Sequence, residues 1–174
     1  VRLRSPAIDA APTDFVFMVD ADFIPDPLLF EFTTKALMPA LLRDQANGDK
    51  FAYVVAAVAL MPNAKPPRTM SDLRTLFRQK QAYITSNKGH GTTHHKILMD
   101  VAVLPPRDPL SSLRYYEVCF QSQWEPYYIL PKSAPRYDER FLNQGGDKQQ
   151  HTIYLNALGC ARDVALGGAE CLRD

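Results

Sequence analysis

Five apolar residues in succession, Phe15-Val16-Phe17-Met18-Val19, are followed directly by Asp20-Ala21-Asp22. An uninterrupted apolar run rich in β-formers predicts a strand buried on both faces, as in the centre of a mixed or parallel sheet. Two carboxylates at the end of such a strand are costly to bury unless a cation compensates them. The segment therefore constrains the fold to a sheet that holds this strand, and the chemistry to one that uses a cation at its end.

The two aspartates are candidate metal ligands. In an extended segment, alternation directs Asp20 and Asp22 to the same side, where they can share one divalent ion directly or through water. Hard oxygen ligands suit Mg2+ or Mn2+, and such an ion would neutralise a diphosphate leaving group. The same residues also allow a simpler interpretation, a loop in which the two aspartates cap the next helix or stay solvated.

The remaining pattern predicts a single α/β domain over residues 1–174, rich in proline-containing loops. Residues 51–60 are expected to form a second buried strand, and residues 120–130 to hold another. Helices are expected from Pro27 through Leu41 with a kink or division at Pro39, from a cap at Thr69 or Ser71 through Lys80, and over residues 149–158.

Composition excludes several classes of function. A formal net charge of +1 gives no general attraction to nucleic acid or to an anionic membrane. The three cysteines, Cys119, Cys160 and Cys171, form no C-x-x-C pair, so a zinc knuckle is not indicated. Their thiols are expected to be buried or free, with a bridge between Cys160 and Cys171 as the alternative. No apolar stretch reaches the roughly 18 residues that a membrane span needs, and because the chain does not begin with Met we expect a piece of a longer protein.

Three further segments carry candidate binding and catalytic residues. Lys88-Gly89-His90-Gly91-Thr92-Thr93-His94-His95 is expected to be either a flexible loop that contacts a ligand or a solvated loop. Trp124-Glu125-Pro126-Tyr127-Tyr128 places an acid between aromatics, and sugar sites commonly combine aromatic platforms with carboxylates. An inverting sugar transfer needs one carboxylate as general base on the acceptor hydroxyl. The candidates for that base are Glu125, Asp138, Glu139 and Asp147.

Taken in order, these segments resemble the family 49 glycosyltransferases, which include xylosyl/glucuronyltransferases and β-1,4-glucuronyltransferases. The segments that carry the resemblance are Leu3-Arg4, residues 15–25, residues 88–93, Trp124-Glu125-Pro126-Tyr127, Tyr137-Asp138-Glu139-Arg140-Phe141 and Gly145-Gly146-Asp147-Lys148, with His151 after the last. They span nearly the whole chain, and the ordered set is more specific than any one of them.

The resemblance implies a GT-A fold, a Rossmann-like αβα sandwich with a mixed central sheet. It also implies an inverting, Mn2+-dependent transfer from a UDP-sugar to a glycan acceptor, with UDP-glucuronic acid as the family's donor. By position, Asp20 and Asp22 would be the metal pair and Asp147 the base. The family more usually has Trp-Asn where this chain has Gly146-Asp147, so Asp138 and Glu125 remain rivals. The residues that would bind donor or acceptor are Arg4, Lys88, Gly89, His90, Trp124 and Gly145.

The resemblance also predicts what the chain lacks. In the family, the strands that hold the nucleotide base precede the D-x-D strand, and this chain begins after that point. The family's metal-binding histidine near the end of the catalytic domain has no counterpart in residues 167–174. We therefore expect a partial catalytic domain, inactive alone, from a type II membrane protein of the Golgi lumen.

Two other functions use the same residues. One is a metal-dependent phosphohydrolase or nucleotidyltransferase, although such enzymes usually spread further carboxylates over several strand ends. The other is a transferase-like module that binds glycan without catalysis, which the absent C-terminal histidine favours.

Overall fold

The computed structural model describes residues 3–25, 29–55, 57–84, 115–118, 120, 124–141, 146–160 and 163–166. The helices are α1 (Arg4–Ala10), α2 (Leu29–Phe32), α3 (Met38–Ala46), α4 (Met70–Arg78) and α5 (Asp147–Ala157), with a π-helical segment, Thr33–Leu37, between α2 and α3. The strands are β1 (Phe15–Phe17), β2 (Ala52–Val55), β3 (Val58–Leu60), β4 (Ala82–Ile84), β5 (Tyr115–Val118), β6 (Tyr127–Pro131) and β7 (Asp163–Leu166).

Five of these strands form one mixed sheet in the order β1-β6-β2-β7-β5. The strands β2 and β7 run parallel, and the other three pairs are antiparallel. The strands β3 and β4 form a separate antiparallel pair. The expectation of an α/β fold with a mixed central sheet is confirmed at this level.

Helices cover both faces of the sheet because its strands alternate apolar side chains between two cores. One core cluster contains Val54, Tyr128 and Leu130 from the strands together with Leu155 of α5. The other contains Tyr53 and Ile129, which directly neighbour those residues in sequence, together with side chains of α3 and the π-helical segment. Since successive strand residues point to opposite faces, the sheet lies between α3 and α5 as the middle of three layers.

The strand β1 differs from its prediction in position. It lies at one edge of the described sheet, pairs with β6 in the register Phe15↔Pro131 to Phe17↔Ile129, and is half-buried along its length. The expectation of a strand in the centre of the sheet is wrong for the described part of the chain, whereas Val16 packs against one core cluster and Phe15 and Phe17 pack against the other. A run of apolar residues does not distinguish a central strand from an edge strand that is packed on both faces by other elements.

The apolar run over residues 51–60 also forms two strands rather than one. Its first part is β2, which is buried in the middle of the main sheet, and its second part is β3, which pairs with β4 elsewhere. Hydropathy does not change at the junction, so the pattern carries no sign that the chain leaves one sheet for another.

The helix predictions hold more closely. Pro39 lies in the first turn of α3, directly after the π-helical segment, so the predicted division of this helix at Pro39 is confirmed. A proline has no N–H to offer the preceding turn, and the wider π turn accommodates that loss. Thr69 caps α4 in a capping box with Asp72, which confirms one of the two predicted caps.

Apolar and small side chains at the end of α5 and just after it complete one of the two core clusters. Cys160 is buried in the same cluster as Val54 and Leu155, whereas Cys119 and Cys171 lie outside the described residues.

None of the helices in the part of the chain that the structure describes has the length and apolarity to cross a membrane.

Candidate functional site

The sheet topology brings distant segments to one edge. Both β1 and β2 are antiparallel to β6, so they run in the same direction and end at the same side of the sheet, where β6 begins. Asp20 follows β1 by three residues, and Tyr127 is the first residue of β6. The Tyr127 hydroxyl donates a hydrogen bond of 2.9 Å to the Asp20 carboxylate. The carboxyl ends of sheet strands are a common location of active sites in α/β proteins.

Arg4 links Asp20 to the start of α5. Its guanidinium Nη2 lies 2.5 Å from Oδ1 of Asp20, and its Nε lies 3.2 Å from Oδ2 of Asp147. The side chains of all three residues are mostly buried. Because one planar guanidinium serves two carboxylates, Arg4 fixes α1, the end of β1 and the start of α5 relative to one another.

Lys148 makes the second connection. Its ammonium lies 2.7 Å from Oδ2 of Asp20 and 3.5 Å from a carboxylate oxygen of Glu125, and it is 5.0 Å from the centre of the Tyr127 ring. The other carboxylate oxygen of Glu125 accepts a hydrogen bond of 3.1 Å from Gln149.

Five residues therefore form one ion-pair cluster: Arg4, Asp20, Glu125, Asp147 and Lys148. Three carboxylates share two cations, so the cluster carries one negative charge more than its own cations neutralise.

The charges of the cluster reinforce one another. Burial alone would raise the pKa of Asp20, but hydrogen bonds from Lys148, Arg4 and Tyr127 outweigh burial and lower that pKa to about 2. Burial would lower the pKa of Lys148, and its contacts with Asp20 and the Tyr127 hydroxyl raise it instead. Burial raises the pKa of Tyr127 to about 12. Asp20 is therefore ionised and Lys148 protonated at neutral pH.

The guanidinium of Arg4 packs over the ring of Tyr137, which in turn stacks on the ring of His151. The guanidinium carbon of Arg4 is 5.2 Å from the centre of the Tyr137 ring, and His151 stacks on the same ring at 4.0 Å between ring centres. His151 is 1% exposed, and its Nε2 is 2.9 Å from the Pro135 carbonyl oxygen, so Nε2 carries the proton and donates it. Burial lowers the pKa of His151 and raises that of Tyr137 to about 12.

Local sequence explains why α5 presents these groups. Gly146 precedes the helix with φ of 105°, a left-handed backbone that favours glycine. Asp147 then opens the first turn, where a carboxylate is favoured by the helix dipole. Asp147 and His151 are one turn apart, as are Lys148 and Thr152, so both pairs lie on the buried side of the helix.

The D-x-D segment is not extended. The amide of Phe23 donates to the Asp20 carbonyl oxygen at 3.1 Å, which closes a turn around Ala21 and Asp22. The premise that alternation places Asp20 and Asp22 on the same side is therefore wrong. Asp20 points into the cluster, and Asp22 is exposed, with no ion pair or hydrogen bond to its carboxylate from any described residue.

This geometry bears directly on metal binding. Both oxygens of Asp20 are already within hydrogen-bond distance of a cation, which disfavours a divalent ion at the same atoms. The exposed carboxylate of Asp22 is a hard oxygen donor that suits Mg2+ or Mn2+. Among the described residues no group of three or more His, Cys, Asp or Glu side chains is arranged to hold a metal. In the described part of the chain, Asp20 is therefore engaged by two cations of the protein, and the Asp22 carboxylate is exposed without such a partner.

The other predicted site residues have different surroundings. Asp147 and Glu125 are members of the cluster, and both are nearly buried. Asp138 instead pairs with Arg140 at 2.6 Å, a contact that lowers the pKa of Asp138 to about 2, and Glu139 is exposed. Trp124 is 4% exposed and packs in the core, so its ring offers no open face to a sugar in this structure. The predicted residues that lie outside the described part of the chain are Lys88, Gly89, His90, His94, His95 and Gly145.

Sequence reasoning did not assign a role to four residues of this site. They are Tyr127, Tyr137, Lys148 and His151. Each lies inside or directly after a segment that carried the resemblance, so those segments marked the site more completely than the choice of acidic residues did.

The structure also contains an apolar groove of about 360 Å³ beside β1, lined by Phe15, Phe17, Met38, Leu42 and Ile129 among others. It shares no residue with the ion-pair cluster. Its lining lacks the convergent charged groups that a site for chemistry needs, so the cluster remains the candidate site.

We expect Arg4→Met to lower the free energy of unfolding by about 2 kcal/mol, because two largely buried carboxylates each lose a partner. Arg4→Lys keeps the charge but cannot bridge both carboxylates, and should recover only part of the loss. Lys35→Met is the control, since it breaks an exposed, solvent-screened pair with Glu31 and should leave the stability nearly unchanged. Urea unfolding measures all three, and equal losses in Arg4→Met and Lys35→Met would contradict a structural role for the cluster.

The buried imidazole predicts a pH dependence of stability. The pKa of His151 in the folded chain lies below its ordinary value of 6.5. Below pH 6.5 the imidazole is therefore protonated in the unfolded chain but stays neutral in the folded chain, and this difference favours unfolding. His151 therefore contributes its full stability above pH 6.5, and loses it as pH falls, by up to about 1.4 kcal/mol per pH unit. In His151→Gln this dependence should disappear, whatever the stability of that variant at pH 7.5. Urea unfolding between pH 7.5 and 5.5 tests this, and identical slopes in the two proteins would refute it.

Comparisons with known proteins give these residues a context. A family model described as a glycosyl-transferase for dystroglycan matches residues 2–161. Similar proteins include the xylosyl- and glucuronyltransferase LARGE2 of Mus musculus, 31% identical over 163 residues (90% of this chain and 21% of the relative). They also include LARGE1 of Homo sapiens, 29% identical over 160 residues (88% and 19%), and LARGE2s of Danio rerio, 28% identical over 161 residues (89% and 19%). This chain thus spans about a fifth of the length of these relatives. The match to the family model includes all five residues of the ion-pair cluster, and the chain belongs to the dystroglycan glycosyltransferase family.

Proposed function

We propose that this chain is part of an inverting glycosyltransferase of the GT-A fold, which moves a sugar from a UDP-sugar to a glycan acceptor. The family match carries this proposal, and the three-layer arrangement around a mixed sheet agrees with it. Glucuronic acid is the sugar we propose, because relatives of the chain are named xylosyl- and glucuronyltransferases. We also propose that the complete protein is membrane-anchored and acts in the Golgi lumen.

Asp22 is the residue that we propose as a direct ligand of a divalent ion, Mn2+ or Mg2+. Its carboxylate is exposed next to the cluster in sequence and accepts no hydrogen bond from a described residue. When bound, such an ion supplies positive charge to the diphosphate leaving group. Asp20 has the different role of holding Arg4 and Lys148 at the end of β1, and it can join the metal only by exchanging one of these cations.

The base that accepts the acceptor's proton is proposed to be Asp147. A pKa of about 2 makes Asp20 a poor base, since it holds a proton too weakly at neutral pH. Asp147 has one cationic partner, Arg4 at 3.2 Å, whereas Asp20 has two. In this step Asp147 takes the hydroxyl proton, the acceptor oxygen bonds to the anomeric carbon, and the bond to the diphosphate breaks on the opposite face.

The metal proposal predicts a thermal shift. Mn2+ and UDP together should raise the Tm of the complete protein, and occupancy at 100 times the Kd corresponds to about 2.7 kcal/mol of added stability. Asp22→Asn should keep the Tm of the unliganded protein and lose the shift, whereas Asp20→Asn should lower the unliganded Tm. Asp49→Asn is the matched control, because Asp49 is also exposed and lies in a loop away from the cluster. No shift of the wild type with any UDP-sugar and metal would sink the transferase proposal.

The base proposal predicts a kinetic effect. Asp147→Asn should lower kcat for acceptor-dependent release of UDP by about 100-fold to 10,000-fold, while Asp138→Asn leaves it nearly unchanged. Glu125→Gln is the decisive comparison, because Glu125 is as buried as Asp147 and belongs to the same cluster. A larger loss in Glu125→Gln than in Asp147→Asn, with both variants folded by circular dichroism, would transfer the role to Glu125. Hydrolysis of a phosphoester without any acceptor would indicate a phosphohydrolase instead.

A further inference from the structure

Basic residues are concentrated in one part of the chain. Between Val58 and Ile84, the unit formed by β3, α4 and β4, there are five basic residues and a single acidic one, Asp72. The unit thus carries a formal charge of +4, although the whole chain carries only +1. The carboxylate of Asp72 caps the start of α4, where it accepts hydrogen bonds from the backbone amides of Arg68 and Thr69.

Four of these five cations are exposed, Lys65, Arg68, Arg78 and Lys80, and Arg74 is half-buried. The apolar residues of α4 are half-buried on the side that packs against β4. On the other side, Arg78 is exposed and lies one turn from Arg74. We call the five cations the basic surface: Lys65, Arg68, Arg74, Arg78 and Lys80.

These cations differ from the others in their partners. Every other described lysine or arginine forms an ion pair or a hydrogen bond with a carboxylate or carbonyl oxygen of the protein. By contrast, the side chains of Lys65, Arg78 and Lys80 form no ion pair or hydrogen bond with any described residue. As far as the described residues are concerned, these charges can therefore bind a ligand without breaking an ion pair or hydrogen bond of the protein.

Lys80 adds a second observation. It follows α4 with φ of 56°, in the left-handed region, and the amides of Lys80 and Gln81 bond to the carbonyls of Phe77 and Leu76. This is the Schellman end of a helix, at which glycine is the least strained residue. A lysine here costs on the order of 1 kcal/mol relative to glycine, and its side chain forms no ion pair or hydrogen bond with a described residue that would offset this cost.

We propose that the basic surface binds an acidic glycan chain, so that an acceptor or product bearing carboxylate groups is held on the β3–α4–β4 unit. The inference rests on the proposed glycosyl transfer, because a polyanion that reaches such an enzyme as substrate is a carboxylate-bearing glycan. Exposed lysines and arginines suit it, since each contributes a modest, salt-screened attraction and several act together. A nucleic acid or an anionic membrane would use the same charges and is an alternative outcome of the test.

The test measures binding of the full chain to hyaluronan oligosaccharides, which carry one carboxylate per disaccharide and no sulfate. We expect binding that weakens steeply with added salt, and no binding of neutral dextran of the same length. In Arg78→Gln/Lys80→Gln the Kd should rise by about threefold to tenfold. The matched control is Lys35→Gln/Arg43→Gln, which removes two exposed cations from the helical residues 33–46 and should leave the Kd unchanged.

Several results would overturn the proposal: no binding of hyaluronan, equal weakening in both double variants, or tighter binding of single-stranded DNA or phosphatidylserine vesicles than of hyaluronan. UDP release by the complete protein with a short neutral acceptor is measured in parallel, without hyaluronan. If Arg78→Gln/Lys80→Gln releases UDP like the wild type but hyaluronan does not bind, the basic surface fails while the transferase proposal stands. If hyaluronan binds as expected but no UDP is released, the transferase proposal fails.

Discussion

The carboxylate of Asp20 joins three parts of the chain that are distant in sequence. One oxygen pairs with Arg4 of α1, and the other accepts from Tyr127 at the start of β6 and from Lys148 in the first turn of α5. Arg4 extends the connection to Asp147, and Lys148 extends it to Glu125. Because these groups are largely withdrawn from water, each one needs its partners, and removal of any cation leaves a carboxylate without compensation. The geometry of the candidate site depends on this network.

The network separates two aspartates that a short motif treats as equivalent. The turn closed by Phe23 sends Asp20 inward and leaves Asp22 exposed. A residue held by two cations is suited to positioning its neighbours, and an exposed carboxylate is suited to a metal. We infer that the two acids of the D-x-D segment divide these tasks, one within the protein and one toward its ligand.

Charge is divided in the same manner on a larger scale. Around the main sheet, lysines and arginines form ion pairs with carboxylates or hydrogen bonds with backbone carbonyl oxygens of the protein. These contacts join helices and strands to one another. On the β3–α4–β4 unit, four of the five cations are exposed, and Lys65, Arg78 and Lys80 form no ion pair or hydrogen bond with a described residue. The net charge of the chain is therefore near zero although its charges are unevenly distributed, because acidic residues elsewhere balance the basic surface.

The sequence by itself determined the family, the α/β class, the capped start of α4 and the division of the helix at Pro39. These depend on local chemistry: a threonine and an aspartate three residues apart close a capping box, and proline has no amide hydrogen to donate. It also located the segments that meet at the site. Only the tertiary structure decided that β1 is an edge strand, that residues 51–60 serve two sheets, and that Asp20 and Asp22 point apart. The partners Lys148, Tyr127, Tyr137 and His151 were likewise invisible in the pattern. Pairing across more than a hundred residues follows from strand order and helix placement, and neither is encoded in hydrophobic periodicity.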